Sequence, residues 1–328
     1  MIDKLVELFT LAQGWLFQTA VEPLMYYAGL GEFTEAAFEG TEWFLIGVCE
    51  LLVLWIVLRP LESLIPVHGF TDRRARWNDF VYTMVHRLGA FSILIFFVLD
   101  PLGDHIAGLL HLEGFRPFNL DDLWPGVSDR PIIAFLIYLV VLDFFDYWYH
   151  RAEHHVGWWW GLHALHHSQR NMNLWSDNRN HLVDDFLRDV VMALVALFIG
   201  VPPAQFVLLV VLSRMLQSLQ HANVRIHFGV LGECLLVSPR YHRAHHAIGS
   251  GHESNGAGSL GGHNFAVLFP VWDIVFGTAR FGNTFEQTGI RDQLPQPAGK
   301  GRNYGDGFWE QQWLGLKRAA AFLRKRPT

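Results

Sequence analysis

The stretch Asp143-Phe144-Phe145-Asp146-Tyr147-Trp148-Tyr149-His150-Arg151-Ala152-Glu153-His154 closes an apolar run that begins near Pro131, and its reading decides the fold. Residues three and four apart share one face of an α-helix, about one turn along. The spacing of His150 and His154 therefore predicts a helix that leaves hydrocarbon and ends in two imidazoles aimed at one point. Two more clusters repeat the device, His163-Ala164-Leu165-His166-His167 and His242-Arg243-Ala244-His245-His246. A lone histidine is more often a surface or satisfied core residue, but three clusters without competing thiolates point to metal. Imidazole binds Fe, Zn, Cu and Ni, so ligand type alone does not name the ion. The ligands outnumber the roughly four that close a structural zinc site, so two metals are the economical reading.

Working outward, the chain has 328 residues, is 51% hydrophobic and has a mean hydropathy of +0.19, with its apolar residues in blocks. The blocks are residues 43–58, 80–99, 131–149 and 186–219, the last broken by Pro202-Pro203. A bilayer core needs about 20 helical residues, so the first three can span and the fourth reads as a helical hairpin. The expected fold is all-α, a polytopic membrane helical bundle of about four to five spans with a cytosolic histidine-rich helical cap. Three segments are expected: an N-terminal membrane region (1–130), a catalytic domain (131–280) and an amphipathic tail (281–328).

Charge orients this bundle. The loop after the first block carries Arg59, Arg73, Arg74 and Arg76, whereas the next is dominated by Asp100, Asp104, Glu113, Asp121, Asp122 and Asp129. Cytoplasmic loops are enriched in Lys and Arg, so the third helix should run inward and deliver His150 to the cytoplasmic face. The N-terminus lacks a basic region before its apolar residues, and no cleaved signal is expected. Cys49 and Cys234 make no disulfide framework, and a net charge of −6 argues against nucleic acid as partner. In the tail, Trp309, Trp313, Leu316 and Ala320 recur at helical spacing beside Lys317, Arg318 and Arg324, which suits a helix on a membrane surface or one packed on the domain.

Asp143 lies one heptad and Asp146 four residues before His150, so a carboxylate could receive a ring N–H and fix a tautomer. Gln220-His221-Ala222-Asn223 follows the hairpin, near its return to the cytoplasm. Ser238-Pro239 breaks the chain and starts the helix bearing His242. Gly256-Ala257-Gly258-Ser259-Leu260-Gly261 matches a dinucleotide fingerprint but follows no predicted strand, so it reads as a flexible loop.

The order HRxxH, HxxHHS, a solitary His-x-Asn, PxxHxxHH, and then Asn264 with Trp272-Asp273-Ile274-Val275-Phe276-Gly277-Thr278 resembles the fatty acid hydroxylase and sterol desaturase superfamily over roughly Asp143 to Thr278. The resemblance implies a membrane-embedded, oxygen-dependent di-iron centre on the cytosolic side, acting on lipid chains or sterols. It implies as ligands His150, His154, His163, His166, His167, His221, His242, His245 and His246. His181, Asp143, Asn223 and Asn264 are candidates to orient those ligands by hydrogen bonds. His181, either a ligand itself or a residue that orients one, stands where the family often has Arg-x-His-Pro-x-Glu, but the proline is missing and Asp184 replaces the glutamate. His263 is a weaker ligand candidate, His155 reads as a neighbour, and Arg225 stands where relatives with a paired His-x-x-x-His have a histidine.

The implied cofactors are two iron ions with O2 as co-substrate. The implied reaction is hydroxylation of a lipid C–H bond, with desaturation as the alternative and a membrane metal-binding or transport protein as the reading from another class. Two distant cysteines cannot hold an iron–sulfur cluster, so a reductase with a cytochrome or ferredoxin-type carrier is the expected electron donor.

Overall fold

In a computed structural model that describes residues 2–69, 72–89, 105–106, 108–115, 118–248, 261–295 and 301–324, the chain is helical. Among the described residues there is no β-strand, and extended pairing is confined to one antiparallel bridge between Ala247 and Thr288. The chain divides into two compact units, residues 1–55 with 84–115 and residues 56–83 with 116–328. The second unit gathers residues 56–83 and the tail with the histidine-rich region.

In the first unit, α1 (Ile2–Leu16) leads through a π-helical turn (Phe17–Val21), a short helix (Glu22–Tyr27) and a 3-10 turn (Gly31–Phe33) to α2 (Thr34–Val53). Phe17 meets Phe38 edge-on at 5.1 Å, and Gln13 Nε2 donates to Phe38 O at 3.1 Å. Gly47 has no room for a side chain, since a Cβ there would fall 1.6 Å from Arg87 O. That approach lets Glu50 pair with the Arg87 guanidinium at 2.8 Å, both side chains buried.

Among the described residues, two helical stretches are long and apolar enough to cross a membrane, Gly31–Leu64 and Pro131–His155, and they contain the first and third expected spans. The second expected span begins in α3 (Arg73–Arg87), which is polar over its first turns, and residues 90–99 lie outside the described residues.

The second unit is built on α4 (Pro131–His155), with Pro131 in the first helical turn, where its missing N–H costs nothing. Ala134, Tyr138, Leu139 and Leu142 face inward, whereas Ile132, Leu136, Val140, Phe145 and Trp148 are exposed. Val156 is extended, so the chain turns before α5 (Gly157–His167). The expected hairpin is present as α6 (Leu182–Phe198) and α7 (Pro203–His221), divided at Pro202-Pro203. Ala196 of α6 and Leu209 of α7 join the inner face of α4 in one core.

Three short helices follow: α8 (Gly229–Leu235), α9 (Pro239–His245) and α10 (Val271–Val275). As the sequence predicts, Ser238 caps α9, its Oγ accepting from Tyr241 N at 3.1 Å. The tail forms α11 (Phe308–Arg324), which packs on α5. A Cβ on Gly161 would fall 2.5 Å from Ala319 N, and Arg318 Nε donates to Gly161 O at 3.0 Å. Of the two readings of the tail, one face is thus packed on the domain, while Trp309, Trp313, Leu316 and Leu323 remain exposed.

Candidate metal centre

The last two turns of α4 carry His150, Glu153 and His154; α5 carries His163, His166 and His167; α7 ends on His221; and α9 supplies His242 and His245, with His246 closing it. All are buried. They form two sets of four whose ligand nitrogens lie within 4.8 Å of one another: His150, His154, His167 and His245, and then His166, His221, His242 and His246. His163 forms a third group with His150 and Glu153. The helical periodicity explains the interleaving, since neighbours His166 and His167 point to different sets.

The second set tests the fit to a cation. His221 Nε2 lies 3.1 Å from His166 Nε2 and 3.0 Å from His242 Nε2, and His242 Nε2 lies 3.1 Å from His246 Nε2. An imidazole nitrogen carries either a proton or a lone pair. His221 and His242, each in two such contacts, cannot satisfy both with well-formed hydrogen bonds. A cation facing four lone pairs satisfies all of them, and spacings near 3 Å suit ligands side by side on an ion with bonds of about 2.1 Å. Burial and the neighbouring imidazoles hold His166, His242 and His246 well below the usual histidine range, in the neutral form that ligates.

A model of the fatty acid hydroxylase family matches residues 135–278, the segment holding both sets. The chain is 31% identical to human alkylglycerol monooxygenase over 168 residues, 51% of this chain and 33% of that protein. It is 30% identical to the Caenorhabditis elegans alkylglycerol monooxygenase over 136 residues, 42% and 25% of the two chains. It is 27% identical to the ornithine lipid hydroxylase OlsE of Rhizobium tropici over 235 residues, 68% and 63%. Residues 135–278 belong to the fatty acid hydroxylase family. The chain spans a third or less of those alkylglycerol monooxygenases, and no solved structure matches it.

Within this fatty acid hydroxylase domain, backbone carbonyls and carboxylates orient the rings. His150 Nδ1 donates to Phe265 O at 2.8 Å and His245 Nδ1 to His263 O at 2.7 Å, a tautomer that puts the lone pair on each Nε2. Both rings belong to the first set, and both acceptors lie on the segment 263–269. Asp273 holds that segment, accepting from Phe265 N at 2.8 Å and Ala266 N at 2.9 Å. Tyr241 Oη and Thr278 Oγ1 add donors to the same carboxylate at 3.0 and 2.7 Å. In this chain the segment Trp272–Thr278 is therefore a brace for two histidines. In the second set His221 Nδ1 donates to Gln217 O at 2.8 Å, with Asp177 Oδ1 at 3.6 Å.

His163 is different. Burial pushes its pKa down, but the Glu153 carboxylate and the bonds to Asp184 and Glu153 outweigh it and raise the pKa to about 10. Its Nδ1 lies 3.3 Å from Glu153 Oε1 and 3.3 Å from Asp184 Oδ2. Tyr149 Oη and Trp159 Nε1 also donate to Asp184, fixing that carboxylate.

The residues expected to orient ligands lie elsewhere. Asp143 accepts from Leu268 N at 2.8 Å, Phe269 N at 3.0 Å and Trp272 Nε1 at 2.9 Å, so it grips the bracing segment rather than an imidazole. Asp146 pairs with Arg188 at 2.6 Å. His181 caps α6 through Nδ1, which accepts from Val183 N, and its Nε2 donates to Gln312 O at 2.9 Å, tying α6 to α11. Asn223 Nδ2 donates to His68 O and Asn264 Nδ2 to Tyr241 O and Arg280 O, so both fix loops. Asn264 adopts a positive φ of 58°, which its short polar side chain tolerates. Arg225, His155 and His227 are exposed. The glycine-rich motif, up to Leu260, lies outside the described residues.

The sequence reading missed Asp177 as the carboxylate beside His221, and Asp184 and Glu153 as partners of His163. Their signal was weak, because each meets its histidine across separate elements or on a helix turn where nothing marks the direction.

Proposed function

We propose that the chain is a multi-pass membrane enzyme that uses O2 to hydroxylate a C–H bond of a lipid, with one iron held by each four-histidine set. The observation that carries this reading is the pairing of two buried all-nitrogen sets within the matched fatty acid hydroxylase segment. Nitrogen-rich sites suit iron, and when bound the irons supply O2 reduction and oxidation of an unactivated C–H bond. The chain's own residues hold the ions through His150, His154, His167 and His245, and through His166, His221, His242 and His246. His163 is placed to hold a proton at Nδ1 between Glu153 and Asp184. The buried setting excludes water from reactive species.

The relatives named above are a monooxygenase of alkylglycerols and a hydroxylase of an ornithine lipid, which favours hydroxylation over desaturation and a polar-headed lipid as substrate. The loop charges support a cytoplasmic site. Electrons come from a separate reductase and carrier, since Cys49 and Cys234 cannot hold a cluster.

The test compares the total lipids of aerobic cells expressing the native chain or His166→Ala at matched membrane levels, read by mass spectrometry. A lipid that gains one oxygen atom only with the native chain is expected. Loss of two hydrogens instead would establish desaturation, and identical lipid profiles with a reconstituted donor present would refute both.

A further inference from the structure

Helices α8 and α10 carry an apolar surface that the metal chemistry does not use. Val230, Leu231 and Leu235 are 81%, 82% and 73% exposed, and Val271, Ile274 and Val275 are 41%, 45% and 64% exposed. Grouped exposed side chains of this size mark a contact surface. The charged neighbours Glu233 and Arg240 pair with each other at 2.8 Å.

The depth of this surface follows from α4. Asp143 precedes His150 by seven residues, so at 1.5 Å per residue it lies roughly 10 Å further from the metal-bearing end. Its carboxylate holds Leu268 N and Phe269 N, and α10 begins two residues later. Val237 N donates to Leu268 O at 2.9 Å, bringing the end of α8 to the same level. Rings of α10 and its C-cap then pack on α4: Trp272 lies 5.0 Å from Phe144, and Phe276 lies 5.4 Å from Tyr147 and 4.9 Å from Trp148. Trp148 is exposed, as are Phe145, Val140, Leu136 and Ile132 at other angles around the same apolar helix. The Arg151 guanidinium stands 5.3 Å from the Trp148 ring, an aromatic–cation pair of the kind that marks the membrane interface. Non-helical backbone survives at membrane depth only where protein satisfies it, and Asp143 does so for Leu268 and Phe269.

We propose that α8 and α10 form a re-entrant platform sunk into the leaflet at the metal-bearing end of α4, with lipid acyl chains as its partner. The packing of Trp272 and Phe276 on α4, a helix long and apolar enough to cross a membrane and exposed at Trp148, selects lipid over a protein partner. The proposal rests on α4 spanning the membrane, as the proposed function requires. It gives a lipid substrate an apolar wall beside the centre along which to approach from within the bilayer.

The full chain, with Cys49→Ser and Cys234→Ser, would be spin-labelled singly at Leu231→Cys, Ile274→Cys, Val140→Cys in α4, or Asn303→Cys as a polar control. Each is placed in phosphatidylcholine–phosphatidylglycerol vesicles, and collision with oxygen is compared with collision with a water-soluble nickel complex. Labels at 231 and 274 are expected to favour oxygen as the label at 140 does. If they favour nickel as at 303 while 140 favours oxygen, the platform is refuted and the span stands; if 140 also favours nickel, the span itself fails and the platform with it. Dipolar broadening between copies at 231 or 274 would assign the surface to a second copy and overturn the proposal. Independently, the double variant Val230→Asp, Leu231→Asp, on α8 and outside the Trp272–Thr278 brace, should raise KM for lipid offered in vesicles about tenfold with kcat and metal content held, because two apolar anchors are lost; an unchanged KM overturns it.

Discussion

His166 and His245 each belong to one set, so they separate the two halves of the centre. His166→Ala should lose the metal of the second set and His245→Ala that of the first, each abolishing turnover while membrane insertion persists. Elemental analysis of purified protein would read about one ion instead of two, and full metal content in both variants would refute the assignment. Asp273 acts one step further out. Asp273→Asn removes an acceptor from the segment whose carbonyls aim His150 and His245, so metal affinity of the first set should fall about 10–100-fold while the second set holds. Titration with ferrous iron would resolve the two sites, and equal weakening of both would mean general destabilisation instead. Arg225→His should leave stoichiometry unchanged, because position 225 is exposed and its backbone N bonds Ile65 O at 2.8 Å. At this scale the histidines were legible because helical spacing reports direction locally. Asp143 was not: its partners lie 125 and more residues away, and a carboxylate beside a histidine on one helix face suggests the wrong bond.

Elements were legible where a residue type forbids an alternative. Pro202-Pro203 could only divide the hairpin, and Ser238-Pro239 could only begin a helix. The tail was ambiguous because amphipathicity does not say whether lipid or protein covers the apolar face. The answer lay in glycines that carry no hydropathy signal: Gly157 and Gly161 let α11 approach α5, the helix that delivers His163, His166 and His167. Gly161→Ala should therefore cost about 1–3 kcal/mol, since backbone rather than a flexible side chain blocks the new methyl. Gly307→Ala, where nothing lies within 4 Å of the added Cβ, serves as the control and should shift stability by less than about 0.5 kcal/mol. Thermal unfolding of the purified chain would measure both, and an unperturbed Gly161→Ala would show that α11 does not bear on α5.

Across the whole molecule, four histidine-bearing helices, of which only α4 and α5 are consecutive in the chain, meet at one point, which periodicity cannot foresee and which the apolar core of α4, α6 and α7 alone does not fix. Neutral imidazoles whose lone pairs face one another repel and gain little from burial, so the ions should act as the clasp that joins α4, α5, α7 and α9. Binding to the folded state alone stabilises it by about 4 kcal/mol when the ion is a thousandfold above its dissociation constant. Chelation should therefore open the histidine-bearing helices locally, rather than leave a preformed empty site. Hydrogen–deuterium exchange of the native chain before and after metal removal would map this. Exchange in α5 and α9 should rise by several orders of magnitude, as about 4 kcal/mol implies, while α1 in the other unit keeps its rate. Unchanged protection in α5 and α9, with the metal shown to be gone, would mean that packing against α11 and the Asp143–Asp273 brace hold the centre in shape without its ions.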